Sequence, residues 1–69
     1  MPFKPREVLS KLQHAGFEIE RHKGTSHYFL RHPNGRQTMV AMHSKDVPEG
    51  TFRAILKQAG LTLEEFKKL

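Results

Sequence analysis

The sequence contains no cysteine. Disulfide bonds and thiolate-ligated zinc are therefore excluded. No apolar run approaches the ~20 residues that a membrane-spanning helix needs. The first residues, Met1-Pro2-Phe3-Lys4-Pro5, lack the apolar stretch of a signal peptide. With 69 residues, the chain is expected to form a single domain over 1–69. These absences favour a soluble, intracellular protein that does not interact with membranes.

Acidic residues are scarce compared with basic ones. Seven Asp and Glu stand against twelve Lys and Arg, which gives a net charge of +5 and a pI near 10.0. Such an excess attracts polyanions over long range. A nucleic acid or an acidic protein is the expected partner, and the alternative is a solvated surface that only keeps the protein soluble.

Apolar residues recur at helical spacing in two segments. The first predicted helix runs from about Pro5 to Ala15, and Gly16 ends it. The second runs from near Pro48 or Glu49 to Ala59. Its apolar stripe consists of Phe52, Ile55, Leu56 and Ala59. A short last helix begins at a predicted capping box formed by Thr62 and Glu65.

Three predicted strands lie between the two long helices. In the first, Phe17 and Ile19 alternate with polar residues and are expected on the buried face. The second covers about His27–His32 and the third about Gln37–Met42. Both of these strands carry apolar residues on both faces, so the pattern does not indicate which face is core. The element order predicts an α+β fold, α-β-β-β-α with a short C-terminal helix, in which both helices pack on one face of a three-stranded antiparallel sheet.

The Asn34-Gly35 dipeptide predicts a two-residue hairpin turn between strands two and three, because both residues tolerate positive φ. Residues whose numbers sum to 69 would then face each other. His27 would lie opposite Met42 and Ser26 opposite His43, at the same end of the sheet.

Five histidines are present. No two lie four residues apart on one predicted helix, so neither a metal site nor any other cofactor is expected. His14 and His32 are expected to be ordinary exposed polar residues. His27 is different because it opens strand two directly after the loop Lys23-Gly24-Thr25-Ser26. A histidine there can exchange a proton near neutral pH, Gly24 lets a phosphate approach the backbone, and Lys23 offers charge. Spacing alone nevertheless favours an ordinary strand-end histidine.

Several short motifs in order resemble one family over nearly the whole chain, the HicA toxins of HicAB toxin–antitoxin modules. The motifs are Leu12 with Ala15-Gly16-Phe17, Lys23-Gly24-Thr25-Ser26-His27, Arg31-His32-Pro33-Asn34-Gly35, Met42-His43-Ser44, Gly50-Thr51-Phe52-Arg53-Ala54-Ile55-Leu56, and Ala59-Gly60-Leu61 with Glu64-Glu65-Phe66. The chain departs from the family pattern at Ala41, where many members have proline.

The resemblance implies a double-stranded-RNA-binding-like fold, cleavage of mRNA in the cytoplasm, and neutralisation by a HicB-type antitoxin that masks His27. The family's single catalytic histidine falls on His27, which would act as a general base on the RNA 2′-hydroxyl without a metal. The residues expected to bind RNA or stabilise charge beside it are Arg21, Lys23, Gly24, Thr25, Ser26 and Lys45, with His43 as a possible accessory group.

Two other functions fit the same pattern. One is a non-catalytic module that binds structured RNA, in which His27 would be only a contact. The other is a DNA-binding protein that uses the second helix. The DNA-binding function is disfavoured because Phe52, Ile55 and Leu56 are expected in the core.

Overall fold

The protein folds as an α+β structure with an open three-stranded antiparallel sheet, as the sequence predicts. The computed structural model describes residues 3–22, 27–42 and 45–69, without the side chains of Arg21 and His22. The elements are α1 (Pro5–His14), β1 (Glu18–His22), β2 (His27–Arg31), β3 (Gln37–Ala41), α2 (Glu49–Ala59) and α3 (Leu63–Lys67). The strand order is β1-β2-β3. This order agrees with the double-stranded-RNA-binding-like fold. Within the described ranges, no helix is long and apolar enough to cross a membrane.

Local signals place the helix ends close to their predicted positions. Pro5 occupies the first turn of α1, where a missing backbone N–H costs nothing. Before α3, the Thr62 hydroxyl accepts a hydrogen bond from the Glu65 N–H (3.1 Å), and the Glu65 carboxylate accepts one from the Thr62 N–H (2.8 Å). The predicted capping box is therefore confirmed.

The hairpin between β2 and β3 differs from its prediction by one residue. The observed partners sum to 68, so His27 lies opposite Ala41 and not Met42. The loop has three residues, because the His32 N–H donates to the Arg36 carbonyl at 2.8 Å. In a two-residue turn Pro33 would have to donate that bond, and proline has no N–H. Gly35 alone supplies the positive φ, at 95°.

The prediction that Ile19 is buried is wrong. Its side chain is 40% exposed, although Phe17, just before β1, is buried. β1 lies at one edge of the sheet, whereas both α1 and α2 pack against β3 at the opposite edge. A β-bulge between Ile19 and Arg21 further interrupts the alternation that the prediction assumed.

The core fills the space between the helices and the sheet. Phe3, Phe52 and Phe66 form an aromatic cluster with ring centroids 5.1 to 5.2 Å apart. From the sheet, Leu30 and Val40 are almost completely buried. Thr38 is buried beside them, and its hydroxyl donates to Gln58 Oε1 at 2.8 Å, which joins β3 to α2. The core thus fixes which face of β2 and β3 points inward.

Candidate functional site

His27 lies on the sheet face that the helices do not cover. Leu30 and Val40 point into the core, and side chains alternate along a strand. His27 and Phe29 therefore point to the other side of the sheet. Paired residues share a face, so Ala41 lies beside His27 and Met39 beside Phe29. We call this surface, formed by His27, Phe29, Met39 and Ala41, the open face. The sequence pattern does not determine the side on which His27 lies, and the register of β2 and β3 does.

His27 is also at one end of the sheet. β1 ends at His22, which pairs with Tyr28, while β2 begins at His27 and β3 ends at the opposite residue, Ala41. Three strand ends therefore meet around His27, which is half-buried. The sheet holds the backbone of His27, and its side chain remains partly exposed to solvent.

Two predicted cationic partners come to this part of the molecule. The backbone of Arg21 lies opposite Phe29, two residues along β2 from His27. Lys45 is exposed and lines a cavity of about 190 Å³ together with Ala41, the residue opposite His27, and with Val40, Thr51 and Ile55 on the helical side of the sheet. The structure therefore places Lys45 at the same end of the sheet as His27.

The other predicted site residues lie outside the described residues. They are Lys23, Gly24, Thr25, Ser26 and His43. The prediction that Ser26 lies opposite His43 assumed the two-residue turn, and the register of that turn is wrong.

Several other charged side chains on the surface are already paired. Glu20 forms an ion pair with Arg31 at 3.5 Å. Arg31 is two residues after Phe29 on β2 and so lies on the same face of the sheet. The Asp46 carboxylate is 2.9 Å from Lys4 Nζ, so the acidic neighbour of Lys45 is bound to a different cation. Among the described residues, no three His, Asp or Glu side chains converge as a metal site would require.

Phe29 and Met39 share the open face with His27, although their sequence pattern does not single them out. Met39 is 40% exposed, and Phe29 is half-buried on the same face. The signal that could have identified them is their spacing, because Phe29 is two residues from His27 on β2 and Met39 is two residues from Ala41 on β3. That signal is readable only when the core face and the register of the strands are known.

His32 has a structural position, and the expectation that it is merely exposed is wrong. Its ring is half-buried and packs edge-on against Phe17, with the centroids 5.1 Å apart. Nδ1 accepts a hydrogen bond from the Asn34 N–H at 3.1 Å, and Nε2 lies 3.1 Å from the Ala15 carbonyl oxygen. His14, in contrast, is exposed as expected.

The chain matches the model of a protein family described as "HicA toxin of bacterial toxin-antitoxin" over residues 5–61. The matched segment runs from the start of α1 to just beyond α2 and contains His27. A search of the curated proteins finds no match.

Proposed function

The chain belongs to the HicA toxin family of bacterial toxin–antitoxin modules, and we propose that it is an endoribonuclease toxin that cleaves mRNA with His27 as its single catalytic residue. The observation that carries this proposal is the position of His27, which is held on the open face at a sheet end with Lys45 nearby. A polyanionic chain can approach this face because neither α1 nor α2 covers it.

The chemistry requires one general base beside a phosphodiester. Neutral imidazole of His27 removes the proton from the ribose 2′-hydroxyl, and the resulting oxygen attacks the adjacent phosphorus. The P–O bond to the 5′ oxygen of the next nucleotide breaks, and that oxygen takes up a proton. The products are a 2′,3′-cyclic phosphate and a 5′-hydroxyl, and the route needs no metal ion.

Cationic groups near His27 lower the energy of the phosphorane-like transition state by compensating its negative charge. Lys45 and Arg21 are assigned this role, together with the segment from Lys23 through Ser26. His43 is assigned as an accessory group that could protonate the leaving 5′ oxygen. These assignments rest on the charge of each residue and on its position in the chain, whereas the role of His27 rests on the family resemblance.

Membership of a toxin–antitoxin family implies an antitoxin partner. We propose that this HicB-type protein covers the open face and masks His27, and that the toxin acts on mRNA in the cytoplasm. The net charge of +5 favours an acidic partner surface. In a complex with the antitoxin, the His27 ring should be protected from diethylpyrocarbonate. Unchanged modification of His27 in the complex would contradict masking.

The proposal is tested by replacing His27 with alanine and measuring cleavage of RNA. Loss of a general base typically costs about 10²–10⁴ in rate, so His27→Ala should abolish detectable cleavage and toxicity. RNA affinity should fall only slightly, because phosphate contacts supply most of it. His14→Ala is the matched control, since His14 is an exposed histidine on α1.

Circular dichroism and thermal melting establish that both variants remain folded. Leu56→Ala, which empties part of the core, should also lose activity, but by unfolding.

Cleavage by wild type should continue in EDTA and give cyclic or 3′-phosphate ends. A folded His27→Ala protein that cleaves at the wild-type rate would exclude His27 as the catalyst. Cleavage by wild type that stops in EDTA and returns with magnesium would exclude the metal-free route. A wild-type protein that binds RNA but never cleaves it would instead be a binding module.

A further inference from the structure

We propose that Phe29 and Met39 form a platform on which one unpaired RNA base stacks, so that the enzyme selects a single-stranded nucleotide beside His27. This inference rests on the proposed ribonuclease function and adds the subsite that recognises the substrate. Phe29 and Met39 are directly paired across β2 and β3, and His27 and Ala41 are the next pair on the same face. The register thus places an aromatic ring and a thioether next to each other on the face that carries the histidine.

The platform does not belong to the core. Leu30 and Val40, from the same two strands, are 1% exposed and point toward the helices. Met39 is 40% exposed, and Phe29 is half-buried on the opposite side of the sheet. Leu63 is similarly exposed, at 42%, but lies on α3 beside buried Phe66. The platform therefore pairs an aromatic residue with an exposed apolar neighbour in reach of a candidate general base.

A nucleotide is the occupant whose chemistry matches this arrangement. A base is flat and apolar on its faces, and it stacks on aromatic side chains without regard to sequence. The phosphates that flank it are anionic, and exposed Lys45 lies at the same end of the sheet. The excess of five positive charges attracts RNA, whereas it opposes the approach of a second copy of this chain.

The spacing along β2 links the platform to catalysis. Residues two apart on a strand are about 6.6 Å apart, so a base resting on Phe29 leaves its ribose and phosphate within reach of His27. A base inside a duplex is already stacked on both sides and cannot offer a face to Phe29. Duplex RNA should therefore be a poor substrate even though it carries more phosphates.

The test uses two substitutions at the same position. Phe29→Leu keeps an apolar side chain but removes the ring, whereas Phe29→Tyr keeps the ring. Stacking of one base should make Phe29→Leu bind a single-stranded oligonucleotide about 5- to 150-fold more weakly. Phe29→Tyr should bind within about twofold of wild type, which the same stacking argument requires. Leu63→Ala is the control for loss of an equally exposed apolar side chain, and it should bind as wild type does.

A second readout reports stacking without relying on cleavage. An RNA oligonucleotide that carries 2-aminopurine, with 2′-O-methyl riboses so that it cannot be cleaved, should lose fluorescence on binding to wild type and to Phe29→Tyr. Binding to Phe29→Leu should leave the fluorescence high at saturating protein. Thermal melting confirms that each variant is folded.

Three results would overturn the platform. One is a folded Phe29→Leu protein that binds and quenches like wild type. Another is duplex RNA cleaved as fast as single-stranded RNA of the same sequence. The third is sedimentation showing a wild-type dimer that Phe29→Leu dissociates, since a second copy would then occupy the face.

The inference and the proposed function can fail separately. If wild type cleaves no RNA but quenches 2-aminopurine in a manner that depends on the Phe29 ring, the platform stands and the nuclease fails. If His27→Ala abolishes cleavage while Phe29→Leu cleaves normally, the nuclease stands and the platform is wrong.

Discussion

His27 and His32 show how position relative to the sheet gives one residue type two different environments. His27 lies on the open face at a strand end, whereas His32 follows β2 and bridges to the end of α1. Since Nδ1 of His32 accepts a hydrogen bond from the Asn34 N–H, the ring proton lies on Nε2, which donates to the Ala15 carbonyl. The ring sits so close to Gly16 that a Cβ atom there would come within 2.8 Å of Nε2. His32 therefore holds the hairpin loop against α1.

Replacing His32 with alanine should destabilise the protein without removing a group from the proposed active site. The Ala15 carbonyl and the Asn34 N–H would lose a partner, and Phe17 would lose an edge contact. We expect the free energy of unfolding to fall by about 1–2 kcal/mol. Urea unfolding measures it, and His14→Ala, at an exposed histidine, should stay within about 0.5 kcal/mol of wild type. Equal unfolding midpoints for the two variants would show that the bridge contributes no stability.

The hairpin illustrates what local sequence signals can and cannot predict at the scale of an element. Helix ends follow from neighbouring residues, such as Pro5 and the Thr62–Glu65 capping box, and are predictable nearly to the residue. The register of β2 and β3 depends instead on which of two turns forms. Asn34-Gly35 favours the shorter turn, but the missing N–H of Pro33 makes the longer one better bonded. A one-residue change in this turn moves the partner of His27 from Met42 to Ala41.

Substitutions at two glycines should change stability in opposite directions. Gly35 has a φ of 95°, and a Cβ atom added there would meet no other atom within 4 Å, so alanine costs only the left-handed backbone conformation. We expect Gly35→Ala to lower the free energy of unfolding by about 1–2 kcal/mol. Gly50 is in the first turn of α2 with equal space around it, so Gly50→Ala should raise stability by up to about 1 kcal/mol. Thermal melting of both variants measures the difference, and a stabilising Gly35→Ala would contradict the turn geometry.

At the scale of the whole molecule, the two faces of the sheet differ in burial. α1 and α2 pack against the sheet and bury Leu30 and Val40, and the open face retains His27 and the apolar surface beside it. The element order and the charge are predictable from sequence, since they depend on periodicity and composition. The face on which His27 lies is not predictable from the sequence, because β2 carries apolar residues on both faces. Tyr28 and Leu30 lie on one face and Phe29 lies on the other. The exposure of Ile19 likewise depends on where the helices lie and not on β1 itself.

The position of His27 at one end of the sheet makes a prediction about where phosphates bind. Binding of uncleavable 2′-O-methyl RNA should weaken with salt, and each phosphate neutralised adds about 0.7 to the steepness of log K against log salt for a single strand. If contacts match the net charge of +5, the slope approaches about −3.5. Lys45 lies at the His27 end of the sheet, so Lys45→Ala should reduce the steepness by about 0.7.

Lys57 provides the matched control, because it is an exposed lysine on α2 next to Gln58, whose side chain bonds Thr38 toward the opposite end of β3 from the partner of His27. Lys57→Ala changes the net charge by the same amount as Lys45→Ala, so a purely long-range effect would alter both slopes equally. A local contact predicts that only Lys45→Ala changes the slope. Fluorescence anisotropy titrations between low and moderate salt measure both. A flatter slope for Lys57→Ala alone would mean that RNA lies along the helices, and that the open face with His27 is not where the substrate binds.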